Sequence, residues 1–314
     1  MGIFDRFYYG KAGKRDYTEM DMPKNRVSLF FLVLKDHFFD LVKVNLMQLP
    51  FWLPFMLWTT VSLLALQSAA AEQQTQEEAA VLSVLSSAVF TWLFGLIPCI
   101  AITGPSSAGA AYIMRNWARD QHAFLWSDFK DAFKNNWKQA LLLSSLTAFL
   151  PIVLYAAFIF YGHGAKAMPV LYIPLIAVLS MGILFCFMLA LLYPMMVGYQ
   201  LRFTDLLKNA VLMSAAQLPR MLLARLITAV PIAVLFVGIG TGNAVILLII
   251  FLYYLVFGFA LSRLIYASIA NAVFDIYLNP RIEGAPVRQG LRPQEPEEEL
   301  EDEEDAEDDE DDDE

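Results

Sequence analysis

Six long apolar runs govern what this chain can fold into. They cover residues 46–71, 79–103, 140–161, 170–197, 221–240 and 244–262. A helix needs about 20 apolar residues to cross a hydrocarbon layer about 30 Å thick, and each run reaches that length. Inside lipid only helices and closed barrels satisfy every backbone group, and runs this long and continuous are not barrel strands. The expectation is an all-α, polytopic integral membrane protein with six transmembrane helices.

Charge gives the orientation. Of 22 Lys and Arg residues, all but Lys166 fall on one side of the six-span arrangement: before the first run, between runs two and three, between runs four and five with the edge of run five, and after run six. The positive-inside rule then places both termini in the cytoplasm. The outer connections are short, at 72–78, 162–168 and 241–243, so the soluble mass is expected inside. No cleavable leader is expected, because the first 26 residues are polar; the first run would serve as an uncleaved anchor.

The net charge of −10 conceals two opposed regions. Residues 295–314 hold 17 acidic side chains; the rest of the chain sets 15 acidic against 22 basic residues. Three parts follow: a cytoplasmic segment 1–44 with an interfacial amphipathic helix over 24–43, a membrane domain 45–282 with cytoplasmic loops 104–139 and 198–220, and a disordered acidic tail 283–314. The six runs contain no acid or base at their middles, which disfavours proton-coupled transport. Arg225 and Arg263, close to the inner boundary, are expected to snorkel to water.

The loop 104–139 is the richest soluble segment. Gly104 and Pro105 break the second run. An Ala-rich helix then carries Tyr112, Arg115 and Arg119, with Asp120 and His122 beyond it. Ser127 is the expected N-cap of a second helix, with Asp128 in its first turn. Phe129, Phe133 and Trp137 recur at i, i+4, i+8, and Trp126 adds a further indole. These residues form a candidate cytoplasmic interaction face, on the membrane surface or docked under the bundle. Asn271 and Asp275 are expected on an amphipathic continuation of the sixth run.

The stretches MGIFDRFYYGKAGKRD (1–16), GPSSAGAAYIMRNWARD (104–120) and WSDFKDAFKNNWKQA (126–140) resemble the YesL-like family of Gram-positive bacterial membrane proteins, with a weaker likeness over 193–223. The resemblance covers most of 1–280 and excludes the acidic tail. It implies the plasma membrane of a Gram-positive bacterium and a link to carbohydrate uptake and utilisation. It carries no catalytic residues.

Chemistry beyond this is sparse. His37, His122 and His163 lack metal-ligand spacing, and no HExxH or CxxC motif occurs. Cys99 and Cys186 lie within apolar runs and read as free thiols. No cofactor, metal or nucleic acid is expected. The expected partners are the bilayer and another membrane protein such as sugar-uptake machinery. The leading expectation is a non-enzymatic accessory or regulatory membrane protein. Its rivals are a transporter or channel for a small neutral solute, and an inner-surface enzyme using Arg115, Arg119, Asp120, His122 and Asp128.

Overall fold

The structure, a computed structural model, describes residues 22–72 and 78–293. The basic positions in 1–21, the outer connection at 73–77 and the acidic run 295–314 lie outside the described residues.

The described chain is helical: α1 Arg26–Asp36, α2 Phe38–Glu72, α3 Glu78–Ala101, α4 Thr103–Trp117, α5 Leu125–Ala167, α6 Tyr172–Gly198, α7 Phe203–Ala216, α8 Leu218–Thr241, α9 Ala244–Tyr253 and α10 Phe259–Tyr277. A π-helical turn, Tyr254–Gly258, joins α9 to α10. Six segments are long and apolar enough to cross a membrane: Phe38–Ser68, Ser83–Ala101, Leu125–Ala167, Pro169–Gly198, Leu218–Thr241 and Ala244–Arg281.

Several boundaries differ from the sequence expectation. The amphipathic helix over 24–43 is two helices. Asn25 caps α1 by accepting from Ser28 N at 2.8 Å, and the chain breaks at His37. Residues 38–43 already belong to the first span. The third span and its preceding loop are one helix of 43 residues, about 65 Å long, so α5 projects well beyond a bilayer core. Its N-cap is Phe124 rather than Ser127; the Asp128 carboxylate accepts from Phe124 N at 2.8 Å and closes the first turn.

The loop 104–139 is thus no surface loop. All residues of α4 except Tyr112 and Arg115 are buried. The break after the second span falls at Ile102, and Gly104 and Pro105 lie inside the first turn of α4. Gly104 is required by close approach: a Cβ there would collide with the Ala140 carbonyl oxygen and the Ser144 hydroxyl. Ser144 ties the junction by donating to the Ala101 carbonyl at 2.5 Å.

Helix α10 also departs from a surface continuation, with Ala260, Leu264, Ala267, Ala270, Asn271, Val273 and Phe274 buried. It runs parallel to α4 at constant register. Arg263 donates to Ser107 Oγ at 2.7 Å, and eight residues further along both helices Asn271 Nδ2 donates to the Arg115 carbonyl at 3.3 Å. The two helices separate two half-cores. One gathers Ala108 and Ala111 with α6, α7 and Phe274. The other gathers Ile113, Met114 and Trp117 with Leu29, Val33, Leu41 and Leu264.

The π turn has an internal plug. Asn45 of α2 is fully buried. Its Nδ2 donates to the carbonyls of Tyr254 at 3.0 Å and Leu255 at 2.9 Å, and its Oδ1 accepts from Phe259 N at 3.0 Å and Ala260 N at 3.1 Å. One side chain therefore satisfies backbone groups that the break frees, as lipid-embedded irregular backbone requires.

Candidate functional site at the basic end of the bundle

The free C-terminal turn of α6, the exposed polar stripe of α5 and Tyr112 of α4 enclose a half-open cavity of about 560 Å³. Its wall on α5 is Asp128, Asp131, Asn135, Asn136 and Gln139, spaced so that all fall on one helical face. The opposite wall runs from Met196 to Leu201 and includes Tyr199 and Gln200. The volume lies in the range of small-molecule clefts.

The helices position these groups for local reasons. Gln139 Nε2 donates to the Leu201 carbonyl at 3.2 Å and pins the α6–α7 connection against α5. Asn136 Nδ2 donates within its own helix to Ala132 O at 2.9 Å. Tyr199 donates its hydroxyl to Asn279 Oδ1 at 2.6 Å and packs edge-on against Phe274. Burial pushes the Tyr199 hydroxyl above its usual range, and the adjacent Arg115 guanidinium works against that shift. The last carbonyls of α6 carry partial negative charge. Together with Asp128 and Asp131 they make this cavity a negative and amide-rich patch within a basic end. Arg115 stands at its edge, its guanidinium 5.6 Å from the Tyr199 ring centroid and packed on Gly198.

A second feature closes the end of α4. Arg26 donates to Asp275 Oδ2 at 2.5 Å and to the carbonyls of Ala118 and Gln289, each at 2.9 Å. Arg119 donates to Gln289 Oε1 at 2.6 Å, and Arg292 N donates to the Pro23 carbonyl at 3.0 Å. His37 stacks on Trp117 with ring centroids 4.6 Å apart. Residues 283–293 are thereby folded onto α1 and α4, which corrects the expectation that disorder begins at 283. The packing has a backbone cause: Gly290, at φ 79°, lies so close to the Arg119 carbonyl that a Cβ would sit 2.9 Å from it.

The ten candidate residues do not form one face. Tyr112 and Asp128 line the cavity, and Arg115 borders it. Arg119 is only 8% exposed and faces the clamp; burial, with Arg115 nearby, lowers its pKa. Asp120 turns the chain at φ 55°. His122 lies outside the clamp, edge-on to Phe124 at 4.8 Å. The aromatic stripe divides: Phe129 is 6% exposed and Phe133 packs on Phe51 at 5.5 Å, whereas Trp126 is 69% and Trp137 47% exposed. The reason is register. Phe129 faces α4, and a Cβ on Gly109 would lie 2.9 Å from its ring.

Sequence reasoning missed Asn135, Asn136, Gln139, Tyr199 and Gln200. The available signal was a polar stripe on the helix preceding the third run, Asp128, Asp131, Asn135, Asn136 and Gln139 at i, i+3, i+7, i+8 and i+11. It also missed Asn45 and Gln48, whose signal was two amides entering an apolar run. Among the described residues no group of three or more His, Cys, Asp and Glu could hold a metal ion.

A family described as a protein of unknown function, DUF624, matches residues 56–158, 103 of the 314 residues. That stretch contains α3, α4 and the α5 wall of the cavity; it stops before the α6 wall. No curated protein and no solved structure matches the chain.

Proposed function

We propose that this protein is a YesL-like plasma-membrane protein of a Gram-positive bacterium, with both termini in the cytoplasm. In this reading it is an accessory or regulatory component of carbohydrate uptake, not an enzyme, and it works through its basic end. The observation that carries the reading is the closely packed, hydrogen-bonded assembly at that end. Helix α4 is buried between α5 and α10, and the amide- and carboxylate-lined cavity opens beside it. The basic residues on the same end support its cytoplasmic placement, and the sequence resemblance supports the carbohydrate link.

Affinity purification of the full chain in mild detergent tests this. The expected result is co-purification of sugar-uptake machinery under growth on an inducing sugar, lost in Asn135→Leu and Gln139→Leu variants that keep normal membrane abundance. Recovery of the lone chain under every sugar tested would overturn the reading.

One observation favours a second reading, transport of a small neutral solute. Gln48, one turn from the Asn45 plug, is fully buried with neither amide atom hydrogen-bonded. Buried polar groups usually find partners, so an unpaired amide beside a broken helix marks a place where a polar guest fits. Solute flux into proteoliposomes, abolished by Gln48→Leu, is the expected outcome of that reading.

A further inference from the structure

Arg225 and Arg263, expected to reach water, turn into the bundle instead. Arg225 Nη1 donates to Tyr266 OH at 2.7 Å, Nη2 donates to the Cys186 carbonyl, and the guanidinium lies over the Tyr266 ring at 4.9 Å. Its Nε is buried without a partner. The Tyr266 hydroxyl also bonds Thr228 Oγ1 at 2.8 Å. Arg263 stands one turn before Tyr266 on α10, bonded to Ser107 Oγ and lying 4.5 Å over the Tyr193 ring. Among the described residues, neither arginine enters an ion pair.

Two guanidiniums, one bonded to Tyr266 and the other carried one turn before it on α10, hold charge that carbonyls, hydroxyls and rings do not neutralise. Removing such a group from water without a counter-ion is expensive. Arg225 is the member of the pair placed toward the outside of the bundle. Leu222, Leu226 and Ile227, which flank Arg225 on α8, are exposed, so Arg225 borders a lipid-facing surface. We infer that Arg225 and Arg263, with Tyr266 and Thr228, bind a phosphate anion at the leaflet adjoining the basic end. The flat guanidinium fork matches phosphate oxygens bidentately, and basic pockets between spans on this side suit phospholipid head groups. The phosphate comes from an anionic phospholipid head group or from free phosphate.

The test uses the full chain, delipidated in mild detergent, with native mass spectrometry and thermal unfolding. The probes are phosphatidylglycerol, phosphatidylcholine and inorganic phosphate. Phosphatidylglycerol should bind and raise the melting temperature where phosphatidylcholine does not. Its affinity should fall about tenfold in Arg225→Gln and in Arg263→Gln and stay unchanged in the exposed Arg220→Gln. Inorganic phosphate that stabilises equally and displaces the lipid would assign free phosphate as the source; no effect of phosphate would assign the head group. Equal lipid retention by wild type and both Gln variants, or binding of neither anion, overturns the inference. Should a Gln variant fail to fold, Arg225→Lys retains the charge but loses the fork and should still weaken binding, and competition on the wild-type chain decides independently.

Discussion

The two ends of the bundle are built on different rules. At the basic end, α4 buries all but two of its residues, and Arg26, Arg119, Tyr199 and Asn271 connect segments far apart in sequence. Toward the far end the helices are apolar and sparsely covered: α9 buries only Ile250, and α8 buries Met221, Ala224 and Gly238. Lipid accepts apolar side chains as readily as a protein core does, so far-end residues have little need to touch one another. At the basic end the chain turns between helices, and the backbone and charged groups buried there must find partners, so the assembly is specific. Substitutions should therefore be costly at the basic end and mild at the far end.

The sharpest contrast lies within one stripe. Phe129→Ala empties a packed site beside α4 and should cost about 4 kcal/mol, while Trp137→Ala, eight residues on, should stay within about 0.5 kcal/mol. Thermal unfolding in detergent compares them. Glycines give the next contrast. Gly104→Val should lose about 3 kcal/mol, because the rigid Ala140 carbonyl blocks the new side chain. Gly162→Ala and Gly240→Ala, whose surroundings are open, should be neutral or stabilising by up to about 1 kcal/mol. A destabilised Gly240→Ala would break the comparison.

Asn45→Leu tests the boundary between the regimes. It keeps the branched shape of the side chain but strands backbone groups at the π turn, for an expected loss of about 2 kcal/mol. Hydrogen exchange should show the loss confined to 254–260. The smallest effect belongs to the clamp. A double-mutant cycle over Arg26→Gln and Asp275→Asn should give a coupling of about 1–2 kcal/mol, larger than for an exposed pair because both groups are mostly buried.

The sequence showed the spans clearly and the basic end poorly. Long apolar runs announce helices by length alone: the second, fourth and fifth segments emerge within four residues of expectation, whereas the first, third and sixth run on at the basic end by 8, 15 and 19 residues. At the basic end GPSSAGAAYIM announces a helix but not its depth, because small and polar residues carry little hydrophobic signal and do not separate a surface helix from one docked in the bundle. In the structure their smallness is the point, since it lets α4 approach α5 closely enough to sit in the middle of the bundle. The cavity was half visible, through Tyr112 and Asp128. Its other wall comes from residues 196–201, and no local pattern on α5 says which distant segment will face it. Arg225 and Arg263 were placed by depth along their helices, whereas the neighbouring tyrosines and the Ser107 hydroxyl decide where they point.

The matched register of α4 and α10 has a mechanical corollary. Because the two rods are fastened at both Ser107–Arg263 and Arg115–Asn271, sliding the sixth span along its axis would drag α4 with it by the same distance. Tyr112 rides on that rod, so a piston-like stroke driven from within the bilayer would be felt as a change in the shape of the cleft below.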